Sequence, residues 1–239
     1  MHRPRLGWCL IPVLVVLAFS VAGCGGSEHD LMIKKFFVAS ATGDTATLGN
    51  IATVVFDPDK DGRAQNVTFI SETPETTRQL HIKELDQAYK DAQAAADAFS
   101  KKMKEYQDKN QDAIDRVLKV EQSGTGRIAP RDVAVQEAWR KWRDESSEVQ
   151  KKASDARLAL QNERKVADLS VPDQDAAAFD AYEGTREVTV TANVRKPDGQ
   201  TAKETLILTL QRVVLKDGAG KPPIEGKWMI TGLKEAPAA

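Results

Sequence analysis

Two long runs of this chain place their apolar residues at alternating steps of four and three. In the first, Leu85, Tyr89, Ala92, Ala96, Phe99, Met103, Tyr106, Asn110, Ala113, Val117 and Val120 make the seam. After the loop "SGTGRIAPRD", Val135, Trp139, Trp142, Ser146, Val149, Ala153, Ala156, Leu160 and Ala167 resume it, with Glu163 as the polar exception. A strand sends alternate side chains to opposite faces and cannot use such a period, so both runs predict helices with a coiled-coil seam. A loop this short predicts that they fold back on each other as an antiparallel hairpin over 80–168. Each arm spans roughly 55–60 Å at about 1.5 Å per residue, longer than a small domain is wide. Part of the hairpin should therefore project. The seam alanines allow close approach but bury little area, which makes Trp139 and Trp142 its heaviest apolar members. Both are expected near the tip on Val117 or Val120, and with Arg127 and Arg131 they form the candidate interaction surface. Asn110 inside the seam reads as a register device.

The hairpin interrupts segments of a different character. In "HDLMIKKFFVASATGD", Leu31, Met32, Phe36, Val38 and Ala39 recur at helical spacing, and Asp44 is a plausible N-cap for a short helix Thr45–Ile51. "TVVFDPDKDGRAQNVTFIS" has the composition of two strands with a turn at 57–62 between them. Beyond the hairpin, "LSVPDQDAAAFDAYEG" predicts a short helix begun near Pro172 and stopped by Gly184. "REVTVTANVR", "ETLILTLQRVVLK" and "KWMITGLK" then alternate as strands of an antiparallel meander, separated by Pro-Asp-Gly and Asp-Gly turns. Two N-terminal strands cannot stand alone, so they should join the meander. The expected fold class is α+β, with N-terminal helices and a curved antiparallel sheet of about five strands. Segments 31–79 and 169–235 form one domain, the hairpin is an insertion into it, and 236–239 is a disordered tail.

The first 23 residues differ again. A short basic start with Arg3 and Arg5 precedes the aliphatic run Leu10–Leu17, and the small residues of "SVAGC" follow. Val21-Ala22-Gly23-Cys24 resembles the lipobox of bacterial lipoproteins. That resemblance implies cleavage of a 1–23 signal peptide and diacylglycerol on the Cys24 thiol. It also implies an acyl chain on the new amino terminus, and 24–30 would then be a short tether. Several acyl chains together anchor stably where one holds only marginally. Cys9 would leave with the signal, so the mature chain would have neither a free thiol nor a disulfide. Loss of Arg3 and Arg5 from the 34 basic residues leaves 32 against 35 acidic ones, a net charge that gives no general pull toward an anionic membrane.

The order of "FFVASATGD", "TATLGNIA", "TVVFDPD" and a last strand "KWMITGL" is similar to NTF2-like domains. The resemblance implies helices packed on a curved sheet, forming a cone that either holds a small molecule or is filled. Enzymatic members place Asp and His in the cone. Here the mature chain has only His29 and His81, expected in the tether and at the start of the hairpin.

Little else suggests reactivity. Asp57, Asp59 and Asp61 precede Gly62 at the spacing of an EF-hand loop, making a Ca²⁺-responsive turn one alternative. Thr68 stands where the bidentate Glu belongs, and Asp-Gly recurs in other turns of the chain. No cofactor is implied, and neither a His/Cys metal cluster nor a Ser/His/Asp arrangement is present. The near balance of 34 basic and 35 acidic residues argues against a nucleic-acid partner. The expected function is therefore a non-enzymatic envelope lipoprotein, held by membrane lipid through Cys24 and presenting its hairpin to an envelope protein. A cone-pocket binding or enzymatic domain is the alternative.

Overall fold

The computed structural model of the chain describes residues 28–237. The segment 1–23 and the lipobox with Cys24 lie outside the described residues. The fold is α+β, a six-stranded curled antiparallel sheet with helices, one pair of them very long.

Helix α1 (Glu28–Thr42) starts earlier than the sequence pattern suggests, so His29 and Asp30 are helical rather than part of a tether. Helix α2 (Thr45–Ile51) is capped as expected, with the Thr47 N–H donating to Asp44 Oδ1 at 3.0 Å. The stretch 53–56 is not a strand. Among the described residues, Ala52 just before it makes a parallel bridge to Ile230, and the Thr53 N–H donates to the Ile230 carbonyl at 2.9 Å. Instead, β1 is Arg63–Glu72 and a second, short strand, β2, is Thr76–Gln79. Four polar, exposed residues give β2 no apolar alternation by which to be recognised.

The centre of the sheet is the hairpin of β3 (Asp180–Arg195) and β4 (Thr201–Lys216), paired without interruption from Asp180↔Lys216 to Arg195↔Thr201. Both β1 and β2 lie along the outer edge of β3. The short β5 (Ile224–Glu225) and β6 (Met229–Glu235) lie along the outer edge of β4. Residues 180–184, expected as the end of a helix, are strand because Tyr182–Gly184 pair with β2 on one side and β4 on the other. The helical content before them is a turn of helix, α5 (Ala167–Ser170), and a 3₁₀ turn at Ala176–Ala178. At the carboxyl end the Ala236 N–H donates to the Thr205 carbonyl at 2.9 Å, so the chain is held one residue into the expected tail.

The long strands change their buried parity part-way. Val188, Val190, Ala192 and Val194 of β3, with Leu206, Leu208 and Leu210 of β4, face α1 and α2. Ile33, Phe36, Phe37 and Leu48 fill the space between. Toward the other end Ala181, Val213 and Leu215 are buried instead, at odd positions. Since a strand has period two, this second core must lie on the opposite face of the same sheet.

There the base of the long hairpin packs. Helix α3 (Ile82–Ser123) and helix α4 (Val133–Arg164) have 42 and 32 residues, about 63 and 48 Å at the usual rise. Leu80, Ile82, Leu160 and Ala167 bring the base against Val213 and Leu215. Along both arms every seam residue named above is buried or half-buried, while most residues between them are exposed.

Candidate functional site

Four regions bear on function: the hairpin tip, the hairpin base, the Asp57–Gly62 turn, and a charged cluster at the middle of the sheet.

At the tip, α3 ends at Gly124 in the left-handed region (φ 63°), and the loop then folds back along the helix that led to it. Asp132, just before α4, pins this loop. Arg116 Nε and Nη2 donate to its two carboxylate oxygens at 3.0 and 2.7 Å, and the carboxylate is almost wholly buried. The Arg116 hydrogen bonds outweigh burial and hold the Asp132 carboxyl below its ordinary range. A two-point fork of this kind fixes orientation as well as distance. Between loop and helix lies a groove of about 250 Å³. Val117, Val120, Ile128 and Ala129 give it apolar walls, and Lys119, Arg127 and Arg131 rim it.

The two tryptophans are not displayed there. Trp139 is buried in the seam. Trp142 packs against Phe99 and Tyr106, with ring centroids 5.1 and 5.8 Å away, rather than against Val117 or Val120. Arg127 and Arg131 remain exposed, and of the four residues expected as an interaction surface only these two are presented to solvent. Asn110 does not reach across the seam either. Its amide donates to the Tyr106 carbonyl of its own helix at 2.8 Å.

At the base, α3 begins without a side-chain cap from its own N-cap residue, His81. Glu163, the polar exception in the α4 seam, supplies one: its Oε1 accepts from the His81 N–H at 3.1 Å and from Arg78 Nη1 at 2.9 Å. Arg78 Nη2 also reaches Glu183 of β3 at 3.5 Å. The end of one arm, the start of the other, β2 and the sheet are thereby linked.

The three carboxylates of the turn do not converge. Asp61 Oδ2 accepts from the Asp57 N–H at 2.8 Å, and Asp57 Oδ1 from the Asp59 N–H at 3.0 Å. Lys60 Nζ stands 3.1 Å from Asp57 Oδ2. Gly62 has φ 100°, and a Cβ there would come within 2.5 Å of the Arg195 carbonyl oxygen. These contacts support a turn packed on the β3–β4 hairpin. Among the described residues no cluster of three His, Cys, Asp or Glu side chains is arranged to hold a metal ion.

No motif announces the fourth region. Glu75 lies over Gly184, where a Cβ would stand 2.0 Å from its Oε1. Arg212 donates to both its oxygens, Nε to Oε1 at 3.2 Å and Nη2 to Oε2 at 3.0 Å, and Arg186 Nη2 adds a third bond at 3.2 Å. Burial works to raise the Glu75 carboxyl, but Arg212 and then Arg186 outweigh it and hold it below the ordinary carboxylate range. Arg186 also pairs with Glu72, and Arg212 with Glu225 at 2.7 Å. Both guanidinium groups lie over the Trp228 ring, 5.2 and 4.8 Å from its centre. The edge of that ring meets His29, buried in the first turn of α1 with Nδ1 3.4 Å from Glu72 Oε2. Glu75 alone has both carboxylate oxygens held by guanidinium groups, and through Arg186 and Arg212 the ion pairs tie residues 72–75 and Glu225 to β3 and β4. Strand parity does carry a signal for it. Arg186 shares a face with Val188, and Arg212 with Leu210, which makes each an arginine on the buried side of its strand.

No helix of the described residues is long and apolar enough to cross a membrane. No family model, curated protein or solved structure matches the chain.

Proposed function

We propose that the chain is a bacterial envelope lipoprotein anchored through acyl chains on Cys24. Its α+β domain, of NTF2-like type, is a non-enzymatic support, and the hairpin is the part that meets an envelope protein. The hairpin itself carries the reading: two arms buried along a single seam, a base tied to the sheet through Glu163, and a tip loop pinned by Arg116–Asp132. An arm of that length held rigid at both ends suits a projecting contact surface better than a domain core. The aromatic and aliphatic packing of Phe36, Phe37, Leu206 and Leu208 between α1 and the sheet supports a filled interior over a ligand-holding cone.

Photo-crosslinking residues placed one at a time along 101–157 in intact cells test this. A discrete protein adduct centred on the tip, lost when Arg127 and Arg131 are both replaced by Glu, is the expected result. Absence of an adduct at every position would count against the hairpin as the contact surface.

A further inference from the structure

The buried face of α1, with Ile33, Phe36, Phe37 and Ala39, packs on the sheet. Its opposite face carries Leu31, Lys34, Lys35, Val38 and Thr42, a stripe at steps of three and four, and all five are exposed. Leu31 and Val38, at 63% each, are the most exposed large apolar side chains among the described residues. Two solvent-facing aliphatics with two lysines between them are unexpected on a helix whose other face already holds it to the core.

The position of the helix in the chain suggests what covers this stripe. Cys24 precedes Glu28 by four Cα steps, a reach of at most about 14 Å. If Cys24 is acylated, as proposed above, the first turn of α1 stays within about 14 Å of the anchored residue, close enough to touch the headgroups. We propose that the outward face of α1 lies on the membrane surface, with Leu31 and Val38 entering the interface and Lys34 and Lys35 meeting anionic phospholipid headgroups. Lys34 shares its charge with Asp30 at 2.7 Å, whereas Lys35 points outward on the same face. Net charge provides no such attraction, since acidic residues outnumber basic ones in the mature chain; it is local to this stripe. Tethering supplies a high effective concentration, so a small patch can orient a protein that it could not recruit alone. The anchor and α1 together would then set one fixed face of the domain against the bilayer.

The proposal rests on the acyl anchor, and the test separates the two. In the mature protein Cys24 would be blocked by its thioether and no other cysteine remains, so Leu31→Cys, Val38→Cys and, on the outer face of α3, Gln111→Cys each offer one labelling site. The lipidated full chain, labelled with a nitrobenzoxadiazole fluorophore, is reconstituted into phosphatidylcholine vesicles with and without phosphatidylglycerol. The proposal expects blue-shifted emission and quenching by brominated lipid at 31 and 38, stronger with phosphatidylglycerol, and water-like emission at 111. It also expects Lys34→Glu/Lys35→Glu to remove the phosphatidylglycerol dependence. An intact mass of the N-terminal peptide reads the anchor independently. An acylated protein whose labels at 31 and 38 stay water-like overturns this proposal alone, whereas an unacylated Cys24 overturns the anchor and this proposal with it.

Discussion

Arg78 Nη1 lies 2.9 Å from Glu163 Oε1, the oxygen that also receives the His81 N–H. The one charged position in the α4 seam thus joins the two ends of the hairpin to β2. Arg78 is half exposed, so solvent screens the ion pair, and the cap on His81 is the firmer contribution. Glu163→Ala should lower unfolding free energy by about 1 kcal/mol in urea titrations, as expected for a lost cap and a screened pair. Glu163→Gln, which keeps an acceptor, should lose less. Hydrogen exchange should quicken at the first amides of α3, while amides at the Arg116–Asp132 tip should not respond.

A second prediction concerns Gly184 and Glu75. The glycine sits opposite Arg212 in the ladder and leaves a gap that the Glu75 carboxylate enters. Gly184→Ala would push that carboxylate out of the fork, much as Glu75→Ala would delete it. Each should cost about 1.5–3 kcal/mol, the range for hydrogen bonds to charged groups. Because both remove the same interaction, the double variant should cost clearly less than the two together. Full additivity in chemical denaturation would mean that Gly184 matters for some other reason.

The same cluster should register acid. Glu75 is held below its ordinary value of 4.5, so the native state binds fewer protons than the unfolded chain on acidification. Its contribution is complete above about pH 5.5 and fades as pH falls through the lowered value. Glu75→Gln should therefore melt below the wild type at neutral pH, and the gap should close on acidification. Calorimetric melting temperatures between about pH 7 and about pH 3 read this directly. A constant gap would exclude the carboxylate charge as its source.

What could be read from the sequence follows from how local each cause is. The heptad seam is one element's own periodicity, and every seam residue from Leu85 to Ala167 is buried or half-buried. Asp44 is likewise a local signal, a short polar side chain bonding to the N–H three residues on. By contrast β2 exists because Thr76–Gln79 meet Tyr182–Thr185, a pairing more than a hundred residues apart that neither segment announces. The stretch 53–56 looks more strand-like than β2 yet forms no strand: the chain beside it touches the sheet at Ile230 of β6, through one parallel bridge from Ala52 and one hydrogen bond from Thr53. Trp139 and Trp142 are legible as seam residues, but their height along the seam depends on where the tip loop doubles back. Glu75 is invisible in the sequence because its partners come from two strands and its space comes from an absent side chain.

Trp139 offers the sharpest test of the seam. It is buried, and its indole Nε1 has no protein hydrogen-bond partner among the described residues. An unpaired buried donor costs about 1–3 kcal/mol, comparable to the packing energy forfeited when an indole is trimmed to a single ring. The two effects oppose each other in Trp139→Phe, which should stay within about 1 kcal/mol of the wild type. Trp139→Ala removes the whole ring from a buried position in the α3–α4 seam and should cost about 3–5 kcal/mol. Urea denaturation of both variants checks the difference. If Phe proves nearly as costly as Ala, the indole N–H is bonded after all, through a buried water at the seam, and the site is polar rather than strained.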